Sequence, residues 1–184
     1  MLPYYRLDQT DGLIAGIVVR RLKVNRDPRG ILVETLRRDW PDLYDPTARP
    51  FAQTYYSVTY PGVARDEDRW HMHHHQEDRF VVLAGDLVLA IADQRPDSPT
   101  RGMLNLFKLG ESNGDEGQLE VLVPRATLHG YVVVGQKPAV LINSPTQLYN
   151  PADELRIPFR EADVRLADGT PFTWDLVRQD TAQG

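Results

Sequence analysis

Short apolar runs alternate with polar positions along this chain, and no stretch keeps a sustained helical period. Alternation or β-rich composition predicts strands at residues 17–22, 53–59, 79–83, 87–92, 104–108, 119–123, 130–134 and 139–143. Turn signals separate them, drawn from 14 Pro and 13 Gly. Many short strands with regular turns are the pattern of an all-β sandwich or jelly roll. A helix is expected near residues 29–38, and loops at 97–102 and 111–117. The polar tail after about Arg178 is expected to fray. No repeat or linker divides the chain, so residues 1–184 read as a single domain.

Composition narrows the classes of function. There is no cysteine among the 184 residues, which excludes disulfides, thiol nucleophiles and Cys-held zinc or iron–sulfur centres. The net charge of -5 offers no general attraction for nucleic acid or anionic lipid. No apolar run approaches the ~20 residues of a membrane span. The first residues lack the apolar core of a signal peptide. A cytoplasmic protein with a small-molecule substrate is expected, bound to neither nucleic acid nor membrane.

The five histidines carry the chemistry. His71, His73, His74 and His75 form one cluster, and His129 stands apart. On an extended strand His71, His73 and His75 would share a face, with Met72 and His74 opposite. His71 and His73 are followed by Glu77 and Asp78, then Gly85. A second segment runs from Pro124 to His129. Three imidazoles and a carboxylate suit Fe(II), Mn(II), Ni(II) or Zn(II) with open positions. The ligands would be His71, His73 and His129 with Glu77 or Asp78. Spacing to Gly85 favours Asp78, and spacing from His73 favours Glu77.

These two segments resemble the two cupin motifs, although Ala126 replaces a usual Gly and Val133 a usual Asn. A closer resemblance joins them. Asp27, Arg29, Gly30 and Glu34 match an Asp-x-Arg-Gly-x-Phe-x-Glu segment of the dTDP-4-dehydrorhamnose 3,5-epimerase family, with Leu32 in place of Phe. Phe51, Gln53, Ser57, Thr59, Gly62 and Val63 are similar to its Phe-x-Gln-x-Asn-x-Ser-x-Ser-x-x-Gly-Val, with Tyr55 in place of Asn. Val123 to Tyr131 is similar to its Ile-Pro-x-Gly-x-Ala-His-Gly-Phe. The likeness runs from about residue 27 to 159.

The resemblance implies a cupin-type double-stranded β-helix with a few short helices, assembled as a homodimer. It implies an epimerase or isomerase that takes a proton next to the ketone of a dTDP-linked 4-keto-6-deoxy sugar. His71 stands on the base position. Arg29, Glu34 and Gln53 stand on nucleotide-contacting positions that the family supplies partly from the neighbouring subunit. Arg65 or Arg69 stands for the Arg before the base. His129, Tyr131 and Asn143 are expected beside the substrate, although Tyr131 is equally an aromatic of the barrel packing. Asp78 occupies the place of the family's Lys, with Arg79 next, and Asn143 the place of its Tyr. The late Asp that orients the family's His has no counterpart. Asp66, Glu67 and Asp68 read as a solvated loop. Two other readings stay open: a metal-dependent cupin of another class, such as a dioxygenase, and a non-catalytic sugar-binding barrel.

Overall fold

The computed structural model describes residues 1–7, 9, 11–112 and 118–183. Two five-stranded antiparallel sheets form the body. The first has the order β1 (Val18–Arg21), β9 (Leu119–Val123), β6 (Asp78–Ala84), β11 (Ala139–Asn143), β4 (Tyr55–Thr59). The second has the order β12 (Leu155–Pro158), β5 (Arg69–Met72), β10 (Leu128–Val134), β7 (Asp86–Ala92), β8 (Leu104–Gly110). A separate hairpin pairs β2 (Val24–Asp27) with β3 (Gly30–Val33). Helices are few and short: α1 (Phe159–Ala162) and α2 (Trp174–Ala182). This is the expected jelly roll, and all eight expected strands are present within it.

Burial explains why the strands read as they do. Between the sheets lies a core of Phe80, Val82, Leu87, Leu89, Ile91 and their neighbours. The outer face of the second sheet is covered as well, by Trp70, Phe172, Trp174 and Val177 packed on Val88, Ala90 and Val132. Strand β7 is therefore buried on both faces and shows a continuous apolar run instead of alternation. Strand β6 alternates Asp78, Phe80 and Val82 inward with Arg79, Val81 and Leu83 outward. Gly85 turns β6 into β7 at a φ of 69°, where an added Cβ would collide with the Pro138 carbonyl oxygen.

Two expectations fail here. Residues 29–38 are not helical. Asp27 accepts from the backbone N–H of Arg29 at 2.8 Å, Gly30 takes a φ of 136°, and the chain returns as β3. Pro and Gly punctuate a hairpin there, and Ile31 and Val33 favour strand. The tail does not fray at Arg178, because α2 continues to Ala182 and buries Trp174 and Val177, while Asp180 accepts from the backbone of Leu2 at 2.8 Å. The loop expected at 111–117 lies outside the described residues from 113 onward.

Residues 36–50 cross the outer face of the first sheet and bury two ionisable side chains. Arg79 is fully buried and donates to the carbonyls of Leu43, Ser144 and Arg49, each at 2.7 Å. Glu120, 1% exposed, has one carboxylate oxygen without a partner among the described residues. Burial pushes its carboxyl up to about 8, against the pull of Arg79 and Arg20. An acid with a raised folded pKa stabilises the fold fully below its unfolded value of 4.5 and loses that contribution as pH rises to about 8. Replacing Glu120 with Gln should remove this loss. Its stability relative to wild type should rise by about 1.4 kcal/mol per pH unit at most between pH 5 and 8. Urea unfolding at several pH values checks this, and a pH-independent difference contradicts it.

Candidate functional site

Cross-strand register builds the site as two facing rows. On the second sheet His129 of β10 pairs with His71 of β5, and His71 pairs with Arg156 of β12. On the first sheet Tyr55 of β4 pairs with Asn143 of β11, and Asn143 pairs with Phe80 of β6. The rows face each other across a cavity of about 230 Å³, lined by His71, His73, His129, Asp78, Tyr55, Tyr131, Arg65, Asp66 and Arg156 among others.

The three histidines meet. Their ligand nitrogens lie within 4.8 Å of one another. His71 Nε2 stands 3.0 Å from His73 Nε2. His73 Nδ1 donates to the carbonyl of Asp153 at 2.7 Å, and His129 Nδ1 faces the carbonyl of Thr127 at 3.3 Å. A carbonyl only accepts, so these contacts fix the protons on both Nδ1 atoms and turn both Nε2 atoms toward the cavity.

The carboxylate that joins them is Asp78. Its Oδ2 lies 3.4 Å from His129 Nε2 and 3.8 Å from His73 Nε2, while Oδ1 accepts from Asn143 at 2.7 Å and from Gln76 at 2.8 Å. The side chain is 3% exposed. Burial opposes its ionisation, yet His129, Asn143 and His73 outweigh burial and draw its pKa down to about 2. Glu77 is not part of the cavity. It turns the other way along β6 and pairs with Arg49 at 3.1 Å.

The remaining expectations divide. His75 does not share the face of His71, because β5 ends at Met72. The backbone N–H groups of His74 and His75 instead donate to the Asp153 carboxylate, at 2.9 and 3.2 Å. Arg79 points out of the barrel and cannot stand in for a lysine. Of the two arginine candidates, Arg65 lines the cavity and donates to Thr59 at 3.0 Å, whereas Arg69 faces outward and pairs with Asp68 at 2.9 Å. Gln53 sits at the mouth with Tyr55, His71 and His73. Tyr131 lines the wall, its hydroxyl bonded to Ser57 at 3.0 Å and Thr59 at 3.2 Å. Arg29 and Glu34 lie away from the cavity of their own chain, paired with Asp27 and Arg37.

Asp66 is the residue that sequence reasoning misplaced. It does not belong to a solvated loop. Trp174 Nε1 donates to its carbonyl at 2.9 Å, and Arg156 Nε to its carboxylate at 3.0 Å. Its Oδ2 then stands 3.8 Å from His71 Nδ1. His71, ahead of Arg156, holds the Asp66 carboxyl below its ordinary value. No local pattern marks this contact, since the groups that hold Asp66 lie some 90 or more residues later in the chain.

A jelly roll with imidazoles and an oriented carboxylate on its inner wall defines a cupin-type enzyme. The family profile described as dTDP-4-dehydrorhamnose 3,5-epimerase matches residues 11–182. The chain belongs to that family and is an enzyme of sugar-nucleotide epimerisation or isomerisation. It is 43% identical over 150 residues to the probable low-salt glycan biosynthesis epimerase Agl13 of Haloferax volcanii, covering 79% of this chain and 88% of the relative. It is 32% identical over 162 residues to the spore coat polysaccharide biosynthesis protein SpsL of Bacillus subtilis, covering 87% and 99%. Its fold is similar to that of a dTDP sugar isomerase from Desulfovibrio desulfuricans, with a TM-score of 0.72 and 23% identity over 88% of this chain and 92% of that one.

The buried Asp78 carboxylate has a measurable signature. An acid with a lowered pKa stabilises the fold above its unfolded value of 3.8 and loses that contribution as pH falls toward about 2. Asp78→Asn should therefore cost about 2 kcal/mol at pH 7. The deficit should shrink as pH falls below about 4 and be largely gone only below about pH 2. Denaturant melts across that range test it, and a deficit of constant size contradicts it.

Proposed function

We propose that the chain abstracts the proton next to the ketone of a dTDP-linked 4-keto-6-deoxy sugar, with His71 as the base. The observation that carries this is the position of His71, between Asp66 behind it and the cavity before it. With the His71 Nδ1 proton facing Asp66, its Nε2 is left bare toward the cavity. His73 Nε2 lies 3.0 Å from it. The His73 ring lies between the carboxylates of Asp78, at 3.8 Å, and Asp153, at 4.0 Å. A C–H next to a ketone is a weak acid. It needs both a base and a positive group on the oxyanion that forms. His73, placed by Asp78, faces that oxyanion where the family has a lysine. His129 and Asn143 hold Asp78 in place, and Arg65 and Arg156 flank the sugar.

The assay is deuterium wash-in from heavy water beside the ketone, on a dTDP-4-keto-6-deoxy sugar. Wild type should exchange, and His71→Asn should be slower by about 100-fold or more. No exchange in wild-type protein that still gains thermal stability with dTDP would leave a sugar-binding barrel and reject the chemistry.

The nucleotide-contacting roles of Arg29 and Glu34 require a second subunit, since neither reaches its own cavity. Exposed apolar side chains support a homodimer: Leu32 at 63% on the hairpin and Tyr56 at 70% on edge strand β4. Arg29→Ala should then weaken dTDP binding about tenfold without changing the dimer seen by light scattering. Unchanged binding contradicts the shared site. A nucleotide-sugar substrate and the lack of any described helix long and apolar enough to cross a membrane support a cytoplasmic enzyme, the chain acting as one domain.

One observation favours a second reading. Three imidazoles within 4.8 Å beside a buried carboxylate also suit a divalent metal: Fe, Mn, Ni or Zn. His71, His73, His129 and Asp78 would hold it, and it would supply Lewis acidity to the ketone or, in another class of cupin enzyme such as a dioxygenase, to another substrate. This reading engages His71 and so competes with its role as base. Elemental analysis of untagged protein separates the two. Near-stoichiometric metal, lost in both His73→Ala and His129→Ala, supports the metal. Protein that stays metal-free after incubation with each ion rejects it.

A further inference from the structure

We infer that Tyr55 is the proton donor that completes the inversion, acting from the wall opposite His71; the inference rests on the proton-abstraction reading above. Inverting a carbon requires that its proton leave one face and return to the other. His71 belongs to the second sheet, so the returning proton must come from the first.

The first sheet offers the cavity Tyr55, Ser57, Asp78, Phe80 and Leu141. Phe80 and Leu141 carry no proton to give. Asp78 is ionised and committed to Asn143, Gln76 and the imidazoles. The Ser57 hydroxyl is engaged with Tyr131, whose own hydroxyl also meets Thr59. Tyr55 differs from all of these. Asn143 Nδ2 donates to its hydroxyl at 2.8 Å, and among the described residues the hydroxyl has no acceptor for its own proton. That proton is free for a substrate. Tyr55 is also 48% exposed, so a tyrosinate formed there can recover its proton from solvent.

Register explains how the group came to this strand. Tyr55 pairs directly with Asn143 across β4 and β11. The Asn and Tyr expected from the resemblance stand here exchanged between paired strands. A longer side chain from β4 brings a phenol to the Asn143 amide. Asn143 joins it to Asp78, at 2.7 Å, and so to the histidines. Burial, followed by the nearby Asp78 charge, raises the Tyr55 phenol to about 12 and keeps it protonated until it is used.

The step balances. His71 Nε2 takes the proton and the C–H pair becomes the C=C of an enolate, with negative charge on the former ketone oxygen. The oxygen re-forms C=O, and the C=C pair takes the Tyr55 proton on the opposite face. Tyrosinate then gains a proton from water, and His71 returns its own.

The test follows wash-in and epimer formation together in heavy water, with dTDP-4-keto-6-deoxy sugar as the probe. Tyr55→Phe should keep wash-in into unconverted substrate within about threefold, because His71 still takes and returns the proton on its own face. Its epimer formation should fall about 100-fold or more. The double variant Tyr55→Asn/Asn143→Tyr should recover at least about tenfold over Tyr55→Asn alone. Epimer formation at the wild-type rate in Tyr55→Phe overturns the inference. So does the same split of exchange from product in Tyr131→Phe in place of Tyr55→Phe. A wild type that shows no wash-in rejects the underlying reading instead, before any variant is compared.

Discussion

The site depends on one buried negative charge. Asp78 lies at the floor of the cavity, 3% exposed, on a strand whose alternate positions face a hydrophobic core. An ionised carboxylate there is tolerated only with donors and positive charge around it. Asn143 and Gln76 donate to it, and the rings of His129 and His73 stand 3.4 and 3.8 Å away. Removing any of them leaves the carboxylate short of partners. This one requirement links the two sheets and gathers the imidazoles in the cavity. The chain places a carboxylate where the family has the cation, and two imidazoles gather on it.

The chemistry is then divided between walls. The second sheet presents His71, oriented by Asp66, which the Trp174 indole and Arg156 hold in place. The C-terminal segment therefore has two roles. It covers the outer face of the sheet with Phe172, Trp174 and Val177, and it positions the acid behind the base. The first sheet presents Tyr55, supported by Asn143. On the proposed reading, the departures from the family pattern are compensated within the cavity, each by a group that reaches the same region from a neighbouring strand or loop.

Much of the fold was legible because burial imposes a period on strands. The run from Leu87 to Ala92 and the alternation in β11 announced themselves. The hairpin at Val24–Val33 did not, since its short strands are largely exposed and gain little from patterning. The histidine cluster pointed to the site directly. It overstated the strand, which ends at Met72 and leaves His75 outside. Glu77 and Asp78 were indistinguishable by spacing, and only the alternation of β6 separates them. Asp66 was illegible for a different reason. Its partners lie far along the chain, and no local pattern encodes a contact made by the return of a C-terminal segment.

The most direct test is a crystal structure with a dTDP-linked 4-keto-6-deoxy sugar bound. The sugar ring should lie between the walls, its reacting carbon about 3.5 Å from both His71 Nε2 and Tyr55 Oη on opposite faces, with the ketone oxygen toward His73. A ring held outside the cavity, or one with both groups on the same face, would contradict the account.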